Sequence, residues 1–384
     1  MLESRRMYLP ALALLGPGCV KEIGAEIKKM GLKKALVVTD KVLLEIGVVD
    51  KALESLVQNE IDYTVYSNVK PNPTIANVNE GFELLKANSC DFLLSIGGGS
   101  PQDCAKAISI LATNPGDIKE YEGVNKTANK GLPIIAVNTT AGTASEATIN
   151  YVITDEQRKV KMVIVDSNSL ATIAVNDPEL MIKMPKALTA ATGMDALTHA
   201  IEGYTTKGAS ILTDTLNLEA IKIISSSLRE AVNNGENLEA RSKMAYGQYM
   251  TGMAFSNCGL GIVHSMAHQL GGTYDLPHGV CNAILLPYIV EYNAATIGDK
   301  LKNIAIAMGE NVEGLSIEEA NKIAISAIKK LSEDVGIPSG LAELGVNEEK
   351  LSHMADLAMI DACTPGNPKN PTKEDMVSIY KKAL

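Results

Sequence analysis

The sequence predicts a two-part fold: an α/β half built on a parallel, Rossmann-like sheet, then an all-helical half, with the boundary near residues 182–186. Three observations lead there. Four β-rich apolar runs alternate with amphipathic helical stretches in residues 1–184. Strand-like runs stop at Pro185, and 3.6-residue periods take over through residues 185–384. A chain of 384 residues, 46% hydrophobic and 21% charged, has room for two cores.

Taken in order, the predicted strands are LKKALVVTD (32–40), DYTVYS (62–67), CDFLLSIGGGS (90–100) and LPIIAVNTT (132–140), with helical stretches such as VDKALESLVQNE and TIANVNEGFELLKANS between them. Ligands of such sheets bind beyond the carboxyl ends of the strands, and three of those ends are informative. The first ends in Thr39-Asp40. An acidic side chain there accepts hydrogen bonds from both ribose hydroxyls of an adenosine and repels a 2′-phosphate, which favours NAD over NADP. The same residue suits a helix N-cap before KVLLEIG. The next ends in Gly97-Gly98-Gly99-Ser100, ahead of Pro101 and a helix. Glycines let the backbone approach a diphosphate, and a helix start offers unpaired N–H groups. The run is not GxGxxG, and Asp40 precedes it instead of following it, so the ordinary Rossmann order is not expected. Lys106 either supports this turn or, as the simpler reading, is surface charge. The third end, NTTAGTASE (138–146), supplies the hydroxyls of Thr139, Thr140 and Thr143 around Gly142, a loop suited to a ribose or nicotinamide.

The helical half opens with PKALTAATGMDALTHAIEGY, SILTDTLNLEAIKIISSSLREAV and NLEARSKMAYGQYMTGMAF. Its informative stretch is GIVHSMAHQLGGTYDLPHG (261–279), which carries His264, His268 and His278, three of the five histidines; His199 lies upstream in MDALTHAIE. Residues four apart share a helix face, so Asp195 and His199 can point at one ion, and so can His264 and His268. Imidazole and carboxylate are natural partners at a metal. Gly271-Gly272 is expected to end this helix, with Pro277 stiffening the approach to His278. Spacing alone does not separate His268 from His278 as a ligand. The HxxxH pair is not a zinc-protease signature, because Ser265 stands where the catalytic Glu would be. His353, isolated in a polar helical stretch, reads as a hydrogen-bonded core residue.

Composition excludes several classes. A net charge of −10 repels phosphate backbones, which argues against nucleic acid. Six cysteines without a CxxC indicate free thiols in a reducing cytoplasm. The N-terminal MLESRRMYLPALALLG lacks a full signal h-region, and no apolar run is expected to span a bilayer.

GMDALTHAIE (193–202), GLGIVHSMAHQLGGTYDLPHGVCNAILLP (259–287), GGGSPQD (97–103) and TTAGTASE (139–146) together resemble the iron-containing (metal-dependent) alcohol dehydrogenase family. The likeness keeps the family's motif order over nearly the whole chain. It implies a dehydroquinate synthase-like fold, with an NAD-binding α/β domain over 1–184 and a helical metal-binding domain over 185–384. It implies Asp195, His199, His264 and His278 as metal ligands, Fe2+ first and Zn2+ as the alternative, and leaves His268 beside them facing ligands or substrate; His268 is then the candidate catalytic residue, passing the proton, or else it only orients the site. For NAD(H) it implies Asp40 and Asn72 at the adenosine, Gly98, Gly99, Ser100 and Asp103 at the diphosphate, and Thr139, Thr140, Thr143, Thr148 and Lys161 toward the ribose and nicotinamide. Asn72, in PNPT, equally suits a turn. Asn150, Val152, Phe255, Leu260 and Cys363 resemble substrate-pocket positions; Cys363 equally fits an inert packed thiol.

The implied activity is hydride exchange between nicotinamide and a small primary alcohol, diol or aldehyde, in a cleft between the domains. Lactaldehyde and 1,2-propanediol come first; 1,3-propanediol, methanol and butanol are alternatives. A homo-oligomer is expected. A dehydroquinate synthase or glycerol-1-phosphate dehydrogenase would need Lys or Arg for its anionic substrate, and segments 193–203 and 259–283 hold none. A metallohydrolase would leave the glycine turn and Asp40 unexplained, and a non-catalytic assembly protein would leave both sites so.

Overall fold

The structure, a computed structural model, describes residues 4–158 and 160–384; Met1–Glu3, part of the N-terminal stretch read for a signal, and Lys159 lie outside the described residues. Two compact units divide the chain. Residues 1–140 and 144–181 form one; residues 141–143 and 182–384 form the other.

Among the described residues, nine strands belong to the first unit: β1 (Leu12–Leu15), β2 (Lys34–Val38), β3 (Asp62–Tyr66), β4 (Phe92–Gly97), β5 (Gly123–Val124), β6 (Ile134–Asn138), β7 (Asn150–Asp155), β8 (Val160–Val165) and β9 (Ile173–Asn176). Six of them make a sheet in the order β1-β9-β6-β4-β2-β3, with every adjacent pair parallel. Its helices are α1 (Ile23–Lys29), α2 (Lys41–Glu45), α3 (Asp50–Gln58), α4 (Ile75–Ala87) and α5 (Gly99–Leu111). Alternate strand residues feed two cores, as the period-2 pleat requires. Leu36, Val38 and Leu93 pack with Val78, Leu85 and Ile108 of α4 and α5. Ala35, Val37 and Leu94 pack with Ile27, Ala52 and Leu56 of α1 and α3. Burial on both faces explains why β4 reads as one continuous apolar run.

The four strands expected from sequence stand as β2, β3, β4 and β6. β1, β9 and a second sheet were not anticipated. In that sheet, ordered β5-β8-β7, β7 and β8 pair antiparallel. β7 alternates half-buried Asn150, Val152 and Thr154 with buried Tyr151, Ile153 and Asp155.

The strand order brings the three informative ends together. Gly97 of β4 pairs with Asn138 of β6, and Ser95 of β4 pairs with Val38 of β2. All three turns therefore leave the same edge, spread over two strand spacings, roughly 10 Å.

Lys106 is not surface charge: it is 1% exposed. Its Nζ donates to Ser145 Oγ (2.9 Å), Thr148 Oγ1 (3.0 Å) and the Asn150 carbonyl (2.8 Å). Ser145 in turn donates to Asp103 Oδ1 at 2.9 Å, and the Val152 N–H donates to Oδ2 at 3.0 Å. Burial raises the Asp103 carboxyl, opposed by Lys106 and these donors. Burial also lowers Lys106 to about 8. This cluster ties α5, which follows the glycine turn, to the 145–152 segment.

The second unit contains α6 (Lys186–Thr205), α7 (Ile211–Asn233), α8 (Leu238–Cys258), α9 (Ile262–Tyr274), α10 (His278–Ile297), α11 (Asp299–Ala307), α12 (Ile317–Asp334), α13 (Leu351–Met359) and α14 (Lys373–Ala383). α10 is long and apolar enough to cross a membrane by length and composition, contrary to the expectation that no run is. Most of it is buried, as in a core helix. His353 is exposed on α13 and is not a core residue.

Lys106→Met should strand the Asp103 carboxylate in the interior and cost about 3–5 kcal/mol. The check is the thermal unfolding midpoint, which should fall by several degrees; an unchanged midpoint would contradict the clamp.

Candidate metal centre

Asp195 and His199 stand one turn apart on the buried face of α6. His264 lies in the first turn of α9, and His278 is the first residue of α10. α9 does not end at Gly271-Gly272. It runs on to Tyr274, and the non-glycine Asp275 takes the left-handed cap at φ 54°. Gly279 matters more than that pair. A Cβ there would lie 2.3 Å from the Ala191 carbonyl oxygen and 3.3 Å from Asp195 Cβ. Its absence lets the start of α10 approach α6 and seats His278 against Asp195.

The lone pairs converge. Asp195 Oδ1 is 4.0 Å from His264 Nε2 and 3.7 Å from His278 Nε2; Asp195 Oδ2 is 3.9 Å from His199 Nδ1. Ligand bonds of about 2.1 Å place tetrahedral donors about 3.4 Å apart, so closure on one cation needs only small movements. The point of convergence is taken by Asn282 Nδ2, at 2.7 Å from Asp195 Oδ1, 3.2 Å from His264 Nε2 and 3.1 Å from His278 Nε2. A cation would compete with that amide for the same electron pairs. His199 Nδ1 is buried with no hydrogen-bond partner. The donor set fits a divalent metal.

Electrostatics agree with that fit. Burial lowers His199, and lowers His264 well below the usual imidazole range, so both stay neutral with a lone pair to offer. Burial raises Asp195, opposed by His199 and the Asn282 amide. Glu202, one turn beyond His199, supports His264: its Oε2 lies 2.6 Å from Nδ1, while Oε1 accepts the Val263 N–H at 2.7 Å. Nε2 of His264 faces Asp195 and the Asn282 amide while Nδ1 faces the Glu202 carboxyl, so the proton of His264 belongs on Nδ1. This is the carboxylate–histidine arrangement that orients a metal ligand. Burial takes Glu202 up to about 7.

His268 adjoins the cluster. Its ring stacks on His278 (centroids 5.4 Å) and meets His264 edge-on at 6.2 Å, while its Nδ1 is bound to Asp361 Oδ2 at 2.9 Å. Phe255 stacks on His199 at 4.2 Å. Cys363 joins His268 and Asp361 as a close group of donor atoms, and burial holds its thiol well above the ordinary range. Leu260 is buried where α8 passes into α9. The structure thus gathers Phe255 and Cys363 at the histidines, while Asn150 and Val152 share the half-buried side of β7 in the first unit.

At the nucleotide-side residues, Gly98 is the N-cap of α5 and brings no side-chain cap. A Cβ on it would lie 2.9 Å from Thr140 Cγ2 and Oγ1, so the two turns touch through its missing side chain. Asp40 caps α2, accepting the Leu43 N–H at 2.9 Å. Asn72 sits at φ 56° and accepts from Lys161 Nζ at 2.8 Å, so the turn residue and the lysine are one unit. Asp103 and Thr148 are bound within the Lys106 cluster. Thr139 is buried, its N–H on the Gly97 carbonyl; Thr140 is half-buried and leans on Asn138; Thr143 belongs to the second unit. Gly99 and Ser100 form the first turn of α5 and are half-buried.

Sequence reasoning missed Glu202, Asn282 and Asp361. The first two had a signal: Glu202 follows His199 by three residues, and Asn282 follows His278 by four, so each shares a helix face with a ligand. Asp361, 93 residues from His268, had none.

Two family models match the chain: iron-containing alcohol dehydrogenase over residues 10–178, and the C-terminal part of the Fe-containing alcohol dehydrogenase family over 189–384. The chain is 48% identical to lactaldehyde reductase of Escherichia coli (strain K12), covering 99% of this chain and 100% of that protein. It is 46% identical to the NAD-dependent methanol dehydrogenase of Bacillus methanolicus, covering 98% and 99%. A crystal structure of 1,3-propanediol oxidoreductase superposes with a TM-score of 0.98 at 46% identity, covering 100% of both chains.

Glu202→Gln should weaken metal binding about 10- to 100-fold, because the amide cannot hold the His264 tautomer as the carboxylate does. Competition against a chelator measures this, and wild-type affinity in the variant would count against the role of Glu202.

Proposed function

Because this chain belongs to the iron-containing alcohol dehydrogenase family, we propose that it interconverts lactaldehyde and 1,2-propanediol, within a range of small primary alcohols, diols and aldehydes. It is an NAD- and metal-dependent alcohol/aldehyde oxidoreductase. The observation that carries the reading is the convergence of buried Asp195, His199 and His264, with half-buried His278 3.7 Å from the same carboxylate and His268 stacked on His278.

When bound, the cation supplies Lewis acidity toward a substrate oxygen, and the dinucleotide supplies or accepts the hydride. Asp195, His199, His264 and His278 would hold the cation, Fe2+ first; the same donors also suit Zn2+. Glu202 orients His264, and Phe255 backs His199. His268 passes the proton: its Nδ1 is bound to Asp361, which leaves Nε2 as the end that exchanges protons with substrate or water. Phe255, Leu260 and Cys363, with Asn150 and Val152, are the residues we assign to substrate selection. Gly98, Gly99 and Ser100 are assigned to the diphosphate, Asp40 and Asn72 to the adenosine, and Thr139, Thr140, Thr143 and Lys161 to the ribose and nicotinamide. Asp103 and Thr148 support that site through Lys106.

We further infer a cytoplasmic homo-oligomer, a dimer or larger. The edge strands β1 and β3 offer unpaired backbone groups to a second copy, and all six cysteines are unbridged.

Protein reconstituted anaerobically with Fe(II) and assayed with NADH should reduce lactaldehyde, with smaller efficiencies for propanal and formaldehyde. No turnover of any C1–C4 aldehyde, alcohol or diol would overturn the reading. Asp40→Ser keeps the helix cap and removes the charge, so the NADPH-to-NADH efficiency ratio should rise by about tenfold or more. His268→Ala should retain metal near one equivalent and lower turnover about 100-fold; loss of metal would make His268 a ligand.

A further inference from the structure

We propose that Asp361 is a positioning residue that fixes the tautomer of His268, holding the proton on Nδ1 so that Nε2 presents a lone pair. The inference rests on the reading of His268 as the proton-passing group and adds the residue that makes it competent.

The geometry is specific. Asp361 Oδ2 is 2.9 Å from His268 Nδ1 and 3.4 Å from Gln269 Nε2. Its Oδ1 accepts the Cys363 backbone N–H at 2.9 Å. The carboxylate accepts from two fixed donors, Gln269 Nε2 and the Cys363 N–H, one on each oxygen, so an acceptor-only ionised carboxylate stands against His268 Nδ1. The histidine and carboxylate side chains are 10% and 7% exposed, so water competes poorly for the pair.

The turn that carries Asp361 is fastened to the helix that carries His268. Thr364 Oγ1 contacts Ser265 Oγ at 2.8 Å, one turn before His268. The Ile262 N–H reaches Asn367 Oδ1 at 3.4 Å, and Thr206 Oγ1 donates to the Gly366 carbonyl at 2.9 Å. The 2.9 Å contact is therefore set by packing.

The proton balance shows why the tautomer matters. Oxidising an alcohol sends the carbinol hydride, with its electron pair, to the nicotinamide, and releases the hydroxyl proton. Neutral His268 takes that proton at Nε2, becomes an imidazolium held against Asp361, and returns it to water. Reduction runs the same transfers backwards. A histidine with its proton on Nε2 has no lone pair there and cannot accept.

Asp361→Asn separates this role from turn capping. The Cys363 N–H requires an oxygen at Oδ1, so the new amide NH2 must face His268 Nδ1. The cap survives, and Nδ1 is forced to become an acceptor. The test is long-range 1H–15N correlation on histidine-labelled protein loaded with diamagnetic Zn(II), with His268 assigned by its loss in His268→Gln. We expect Nδ1–H in the wild type and Nε2–H in Asp361→Asn, with kcat reduced about 100-fold or more, KM within about threefold and metal content unchanged. Asp361→Glu should recover part of the loss. A wild-type His268 protonated at Nε2, or an Asp361→Asn protein with unchanged tautomer and turnover, would overturn the proposal. The underlying reading fails separately: a His268→Ala enzyme at full turnover would refute proton passing by His268 and leave the tautomer result standing.

Discussion

Putting a carboxylate into a dry interior costs several kcal/mol unless positive charge meets it, and the second unit does so repeatedly. Asp195, Glu202 and Asp361 are all buried around one group of histidines. Burial also keeps His199 and His264 neutral, so those imidazoles bring no charge to offset the acids. Burial pushes Asp195 and Glu202 toward their neutral forms too, so the cluster offers converging lone pairs and carboxylates that only a cation would keep charged. Metal binding and the stability of this unit must be linked, since whatever binds the native state alone stabilises it. The donor amide of Asn282, at the point of convergence, is the weak neutral version of that cation.

The first unit solves the opposite problem. Lys106 is a buried cation whose three donors are spent on Ser145, Thr148 and the Asn150 carbonyl. A flexible lysine on the surface could not hold a loop still. A buried one can, because leaving any donor unmade is expensive. The loop it holds follows the threonine-rich end of β6 and leads into β7, and α5, on which it stands, starts at the glycine turn. One interior charge thus organises two of the three strand ends.

What was legible in the sequence was local. Asp195 with His199, the histidines of 261–279 and the glycine turn are close in sequence, so helix period and turn chemistry expose them. β2, β3, β4 and β6 were legible because burial on both faces makes long apolar runs. β1 and β9 are short, and β7 interleaves polar residues with apolar ones, which hid them among loops. Lys106 was misread because burial of a lysine depends on partners 39 to 44 residues away. Gly271-Gly272 looked like a stop, yet packing carried the helix past it, and Asp275 took the left-handed cap usually left to glycine. The glycine that shapes the site, Gly279, is explained by Ala191, which lies far from it in sequence.

The same contrast bears on how chemistry could change on this scaffold. The ligands come from helix interiors and helix starts, where moving one side chain disturbs a packed interface. Asp361 and Cys363 come from a turn fastened to α9 by side-chain hydrogen bonds, Thr364 to Ser265 and Asn367 to Ile262. Residues 360, 362 and 365 of that turn make none of those contacts, and Ile360 is 83% exposed. Substitutions there would leave the hydrogen bonds that fasten the turn, and with them the His268 partner, in place. The turn thus divides into residues held by side-chain hydrogen bonds, Asp361, Thr364 and Asn367, and an exposed Ile360 on which that fastening does not depend.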